Sequence, residues 1–353
     1  MTPAPARSSA APTAQVLLLV GIFLILLTTA LKLGAGFLLP IAIAGLFTLL
    51  LDPLVRVLRR LGVPTTVGAA VLVFGTVGVL ASGGALLAGP AGDWVESAPR
   101  TLVQAQKKIR KLLRPWQETA RQVEKVTETA PPGGPTTVQI KPPGLLERLS
   151  VSTTSFLVTL FSVVFLTYFL LAMLPTFRTK LADLIGSAAG AGHVEAVLTE
   201  VEIQMSRYML INTLTSAGVG LATWGVLAAV GLPNAVLLGV VAFFMNFIPY
   251  AGAVATLVLI AIAALVAFED TGRVLLVVGG SAAINLLEGY IITPQLMGRH
   301  LPLNPVAVFV GLLYWGWVWG PVGTLVAVPI MVMLQVVFSR IEVLKPVAVL
   351  LDS

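Results

Sequence analysis

Asn246-Phe247-Ile248-Pro249-Tyr250-Ala251-Gly252 breaks an apolar run over residues 233–268, and Trp319-Gly320-Pro321-Val322-Gly323 breaks a second over residues 305–338. About 35 residues of helix would extend roughly 50 Å, well beyond the ~30 Å hydrocarbon core of a bilayer. Each run is therefore too long for one crossing and is interrupted near its middle. A break at membrane depth frees backbone polar groups, so it persists only where it is buried in protein or lines a polar cavity. Paired broken segments in corresponding parts of a chain point to a transporter's substrate site.

Composition gives the class. The chain has 353 residues, 57% hydrophobic and only 11% charged, with a mean hydropathy of +0.96. A soluble domain carries about 25% charged residues, so an all-α polytopic membrane protein is expected. A β-barrel would show two-residue alternation instead. Cysteine is absent, which excludes disulfides, thiol nucleophiles and Cys-ligated metals. His193 and His300 lie far apart and lack metal-ligand spacing. There is no phosphate-binding glycine loop and no Ser-His-Asp or paired-carboxylate set. An enzyme or an ATP-driven pump is not expected, and neither is a metal, a cofactor or a nucleic-acid partner. The net charge of +6 is assigned to loop residues facing lipid headgroups.

Apolar runs predict six full spans near residues 15–31, 34–51, 66–88, 152–174, 211–230 and 273–292, plus the two broken segments. Residues 1–14, rich in Pro, Ala and Ser, are expected to be a disordered N-terminus, followed by the first three spans within 15–89. Residues 90–150 are expected to be an extracytoplasmic helical subdomain. There Leu102, Ile109, Leu112, Leu113, Trp116, Val123 and Val126 recur at helical spacing before the Pro131-Pro132-Gly133-Gly134-Pro135 breaker. Residues 151–175 hold the fourth span, and 176–210 a cytoplasmic connection with a short polar helix at 191–207. Residues 211–338 form the transport core, and 339–353 a cytoplasmic tail.

The positive-inside rule sets the sidedness. Arg56, Arg59, Arg60, Arg178, Lys180 and Arg207 share one side if the N-terminus is cytoplasmic. If each broken segment is a re-entrant hairpin, Glu269 and Asp270 are external, and Arg299, His300, Arg340 and Lys345 are cytoplasmic. As single crossings, the segments would put Arg299 outside. The hairpin arrangement makes a span-plus-hairpin unit repeat with inverted orientation, a plan used by secondary transporters.

Three motifs then occur in order. Asn246 to Tyr250 is followed by Gly252. Glu288-Gly289-Tyr290 leads to Pro294-Gln295-Leu296-Met297-Gly298 and Pro305. Trp315-Gly316-Trp317-Val318-Trp319-Gly320 leads to Gly323 and Ala327-Val328-Pro329. With Pro40 and Asp52-Pro53-Leu54-Val55, this pattern resembles the autoinducer-2 exporter family of bacterial membrane proteins over nearly the whole chain. The resemblance implies a multi-pass, homo-oligomeric exporter or permease in the bacterial inner membrane, carrying a small solute such as an autoinducer-like signal. It also implies an alternative, cation/proton exchange, associated with some members. The sequence departs from the family at Ala253, Asn304 and Leu210, where proline, histidine and a basic residue are common; the last two departures remove candidate polar groups.

Among candidate pathway residues, Glu288 is the acid placed well inside an apolar segment, with Asn285 about one turn before it. An intramembrane carboxylate is costly and by default marks a functional site. It would carry a proton or attract a cation; otherwise it snorkels, or pairs with Arg299 or Arg273. Pro249 and Gly252 open the first break, so that Asn246, Tyr250 and freed carbonyls would meet a ligand; otherwise they form a tight tip with a capping Asn. Gly320 and Gly323 play the same part in the second break. Trp315, Trp317 and Trp319 read as an interfacial belt. Arg207 and Tyr208 read as interface anchors at the fifth span, and Pro294, Gly298 and Arg299 as supporting residues. A membrane scaffold recruiting a partner through residues 90–150 is the reading from a different class.

Overall fold

A computed structural model describes residues 10–124, 145–185, 188–297 and 303–351. Its helices are α1 (Ala10–Leu33), α2 (Ala35–Arg60), α3 (Thr65–Glu124), α4 (Leu145–Ile185), α5 (Ala188–Val230), α6 (Ala235–Met245), α7 (Ala251–Ala267) and α8 (Thr271–Leu287). A π turn (Glu288–Ile292), α9 (Thr293–Met297), α10 (Pro305–Arg340), a 3-10 turn (Glu342–Leu344) and α11 (Lys345–Leu351) complete the order. No strand is present among the described residues. Ala35–Arg60, Thr65–Ser97, Phe156–Leu174, Thr199–Val230, Thr271–Leu296 and Pro305–Arg340 are long and apolar enough to cross a membrane. The chain is an all-α polytopic membrane protein.

Three helices run through boundaries that composition suggested. The third span continues into the polar region as one helix to Glu124, carrying Pro90, Pro99 and Pro115 within it. The polar stretch 191–207 and the fifth span are likewise one helix, α5. Polar residues change the solvent a helix prefers without breaking its hydrogen-bond ladder. At the N-terminus, residues 10–14 are already helical, and only Gly34 (φ −80°, ψ 5°) separates α1 from α2. Its N–H still donates to the Ala30 carbonyl at 2.8 Å. A one-residue kink does not reverse a chain, so the first two expected spans do not pair as antiparallel neighbours. Residues 1–9, Val126, the 131–135 breaker, Gly298, Arg299 and His300 lie outside the described residues.

The first broken segment folds as a helical hairpin. Ala235 and Leu238 of α6 share a buried cluster with Ile260 and Ala264 of α7 and with Phe268 just after it, so the start of α6 lies beside the end of α7. The second folds back as well. In a straight helix Gly311 and Met331 would be about 30 Å apart. Here a Cβ on Gly311 would lie 2.9 Å from Met331 Cγ, and one on Gly316 2.7 Å from Thr324 Oγ1. Helix α10 is thus two antiparallel arms turning at Gly320, whose φ of 67° and ψ of −153° are open to glycine and costly for other residues.

Both hairpins lean on α5, from opposite ends. The open end of the first packs with Leu227 and Leu232, at the C-terminal end of α5. Gly220 and Gly239 let α5 and α6 approach closely, each Cβ position lying 2.9 Å from the other's carbonyl oxygen. Small residues at helix contacts are how helices associate in lipid, where burial alone supplies no drive. The second hairpin is rooted at the other end of α5 by the Arg340–Glu200 ion pair. Its core, including Val308, Leu312, Trp315, Val326 and Val336, encloses Met205. Helices α2, α3 and α4 pack around Leu51, Val55, Ala69, Val73 and Leu171 as a separate bundle wall.

Candidate functional site

The first tip is tightly closed. Pro249 and Tyr250 form a γ-turn: the Ala251 N–H donates to the Pro249 carbonyl at 2.6 Å, and Tyr250 holds φ 61° and ψ −57°. Positive-φ γ-turns are rare and strained, and such strain gathers at functional positions. Tyr250 is exposed; Gly252 is buried, and any Cβ there would overlap the Met245 carbonyl. Asn246 ends α6, and its Nδ2 donates to Ser216 Oγ on α5 at 3.1 Å. Ile248 from this tip packs against the core of the second hairpin.

The second tip repeats the device. Gly323 is buried, and a Cβ there would overlap the Trp315 carbonyl, as at Gly252. The three tryptophans part company. Trp315 is in the core with its ring 4.8 Å from that of Trp319, whose Nε1 donates to the Leu31 carbonyl at 3.0 Å. Only Trp317 is exposed, with Lys32 Nζ 4.1 Å from its ring centroid. The interfacial-belt reading therefore fits Trp317 alone. Tyr208 packs against this same core and is not a surface anchor, whereas Arg207 is exposed.

Helices α5, α6, α7 and α8 close a ring, each packing on the next and α8 returning to α5. Its interior is layered. Leu227, Leu238, Ile260 and Val277 form an apolar layer, one residue from each helix. One turn toward the tip, four residues along each helix, the corresponding residues are Thr223, Ala242, Thr256 and Ser281, all 3% exposed or less. The three hydroxyls have no hydrogen-bond partner among the described residues. An unsatisfied buried hydroxyl costs about 1–3 kcal/mol. A further turn brings Asn246, Gly252 and Asn285. Three sequence-selected residues, the tip Asn, the tip Gly and Asn285, thus lie one turn beyond the hydroxyl layer.

Glu288 opens that π turn. Pro294 cannot donate to the ladder and crowds the carbonyl four residues earlier, which widens the helix just before it. Thr293 takes up the slack: its N–H donates to the Glu288 carbonyl, and its hydroxyl donates to Glu288 Oε1 at 2.6 Å. Such π turns recur at functional sites. A Cβ on Gly280 would lie 2.9 Å from Val226, and α9 again touches α5, so α8 runs antiparallel to α5. The eight residues from Gly280 to Glu288 descend about 12 Å, to the depth of Ser216. Arg273 sits at the far end of α8, beside the Phe268 ring, and does not pair with Glu288. Pro294 is exposed.

Residues 21–342 match the AI-2E family transporter profile. The chain belongs to the AI-2E transporter family. It is 29% identical to the AI-2 transport protein TqsA of Escherichia coli K12, over 96% of each chain. It is 26% identical to the YhhT protein of the same organism, over 87% of this chain and 85% of the relative. A transport protein of Haemophilus influenzae is 32% identical over 54% of this chain and 55% of its own. The chain is a membrane transporter of this family.

This AI-2E transporter also buries two acids that the sequence left among loop and family residues. Asp52 on α2 and Glu202 on α5 are both buried and share Arg56: its Nη2 is 2.6 Å from Asp52 Oδ2 and is ion-paired with Glu202 Oε1. The sequence signal was available in the four-residue spacing of Asp52 and Arg56, but nothing local foretold Glu202 as a partner. The cluster locks α2 to α5 near the root of the second hairpin. No group of three or more His, Cys, Asp or Glu side chains converges as a metal site among the described residues.

Proposed function

We propose that this transporter exports a small polar solute, of the autoinducer-like signalling class, by exposing the polar interior beneath the first tip to each side of the bacterial inner membrane in turn. The observation that carries this reading is the opposition of the two hairpins. They enter from opposite ends of α5, and Ile248 of one tip rests on the core of the other. Two mouths leading to one helix are what alternating access needs. The name of the TqsA relative supports the solute class. The arginine-rich end, with Arg56, Arg59, Arg60 and Arg340, is cytoplasmic in this reading, and the Glu269 end faces outward.

Glu288 couples transport to protons. It lies in a wide turn at the depth of Ser216, and Thr293 holds its carboxylate. The test is efflux from proteoliposomes with imposed pH gradients, comparing the wild type with Glu288→Gln, which keeps the shape and removes only ionisation. Solute efflux should occur in both, with its pH dependence lost in the variant. An unchanged pH profile in Glu288→Gln would refute the coupling role. Sodium flux against protons with no solute movement would instead assign cation/proton exchange.

A further inference from the structure

Helix α3 outlasts its membrane span. The apolar stretch ends at Ser97, and the helix runs on to Glu124. One face stays sheltered across that boundary. Leu87, Pro90, Trp94, Thr101, Ala105 and Lys108 follow at steps of three, four or seven residues, while Val103 and Lys107 beside them are exposed. Such spacing keeps one helix face against neighbouring elements. Those neighbours include both arms of the first hairpin, since α3 packs on α7 and touches α6. Ala105 is 3% exposed, and one turn later the stripe ends on a cation.

That cation grips the junction between α7 and α8. Lys108 Nζ donates to the Phe268 carbonyl at 3.1 Å and lies 3.0 Å from Glu269 Oε1. Phe268 is where α7 ends; helix carbonyls there are left without partners, and the helix dipole favours a positive charge. Lys108 therefore caps α7 from another helix, 160 residues away in sequence. The rest of the junction is held from within the ring. The Phe268 side chain is buried in the cluster of Leu227, Leu232 and Ala264, and Asp270 caps α8 by accepting from the Gly272 and Arg273 N–H groups. Lys108 ties the junction to an element outside that ring. Helix α7 carries Gly252 of the first tip at its other end, so a hold on the junction is a hold on that arm. The tie is also easily undone. The Glu269 side chain is 94% exposed, and an exposed ion pair contributes little and is screened by salt.

We propose that the outer part of α3 is a strap across the open end of the first hairpin, fastened by Lys108 to Phe268 and Glu269, and that Lys108 lets go when that end opens. The inference rests on the alternating-access reading above, in which this end faces outward. A freed junction lets α7 tilt away from α5, which uncovers the apolar layer and, one turn deeper, Ser281.

Right-side-out membrane vesicles carry the full chain with Ser281→Cys, which gives it a single thiol. They are treated with a water-soluble carbodiimide, then with a membrane-impermeant maleimide, and labelling is read on the purified chain. The carbodiimide joins Lys108 Nζ to the Glu269 carboxyl as an amide and takes up the water lost as a urea; peptide mass reports the link. Joining should slow labelling. Lys108→Met should speed it by up to about fivefold, the scale of one partly exposed ionic contact. Lys108→Arg keeps the cation but forms no amide, so it should label like the unjoined lysine chain with or without carbodiimide. Absence of the amide, or one labelling rate throughout, would overturn the proposal. Equal slowing of the arginine variant would overturn it too, placing the effect at another carboxylate. Should Lys108→Met fail to fold, the lysine and arginine chains still decide the matter. Solute efflux separates the strap from the reading beneath it. Efflux unchanged by the amide sinks the strap and leaves transport; no efflux in any sample, with labelling still answering to Lys108, sinks the transport reading and leaves the strap.

Discussion

Gly252→Ala tests the closure of the first tip directly. A methyl there would overlap the Met245 carbonyl oxygen, and the carbonyl carbon would stand only 2.6 Å away. Carbon meets a carbonyl oxygen at about 3.3–3.6 Å even in close contacts, so the tip must open by roughly an ångström or more. Forcing one carbon into a packed site costs about 1–3 kcal/mol. Opening the tip also pulls Asn246 from Ser216, a hydrogen bond worth about 1 kcal/mol. Together these give a loss of about 2–4 kcal/mol, which lowers the unfolding temperature by roughly 4–10 °C on the scale of a large domain. The assay is thermal unfolding of the detergent-solubilised protein, followed by fluorescence. Gly279→Ala is the control, because a Cβ there meets nothing within 4 Å and helix propensity favours alanine. If the two variants unfold together, the tip is not closed on Met245 and the hairpin geometry argued from it fails.

Two further outcomes follow from the same packing. The chain has no cysteine of its own, so Pro233→Cys and Glu269→Cys, both at exposed positions, can be labelled singly in whole cells. Both should react from the outside and Ser339→Cys only after permeabilisation, while opposite-side labelling of the first pair would end the re-entrant reading. Arg56→Gln takes the shared arginine from two buried carboxylates and should cost about 2–4 kcal/mol, toward the lower part of the range for a broken buried pair because Arg56 is partly exposed. Adding Asp52→Asn should return part of that loss, and a double variant no more stable than the single one would show that Asp52 does not depend on Arg56.

The breaks were legible because backbone rules are local. Pro249 with Gly252, and Gly320-Pro321 with Gly323, leave few places where a long apolar helix can turn, and the structure turns at both. The π turn had a local signal too, since Pro294 lies six residues after Glu288. What stayed hidden depends on partners. A buried threonine reads like any other intramembrane hydroxyl, because most bond to their own helix. Thr223, Thr256 and Ser281 become unusual only when three helices bring them to one depth. Glu202 read as part of a polar connection because a single helix, α5, passes from polar to apolar surroundings without a break. The tryptophans show the same limit: two-residue spacing puts Trp315 and Trp319 on one face and Trp317 on the other, and only the second hairpin arm decides which face is inside.

The inverted order of span and hairpin does not carry over to neighbours. Helix α5 lies along α6, the first arm of its own hairpin, whereas α8 packs on α5 and α7 and makes no contact with α10 among the described residues. The second hairpin is held instead by α5, α2 and α1, with Thr28 bonded to Tyr314 at 2.9 Å and Trp319 bonded to Leu31. The two halves are therefore unequal in role. The first hairpin belongs to a polar-centred ring, and the second is built around an apolar core that contains Met205. Helix α5 joins them: Tyr208 touches the second core, and eight residues later, about 12 Å along the axis, Ser216 holds the first tip. In the alternating-access reading proposed above, this one helix, gripped by opposed hairpins at neighbouring depths, would carry a shift of either tip to the other without a chain of switching side chains.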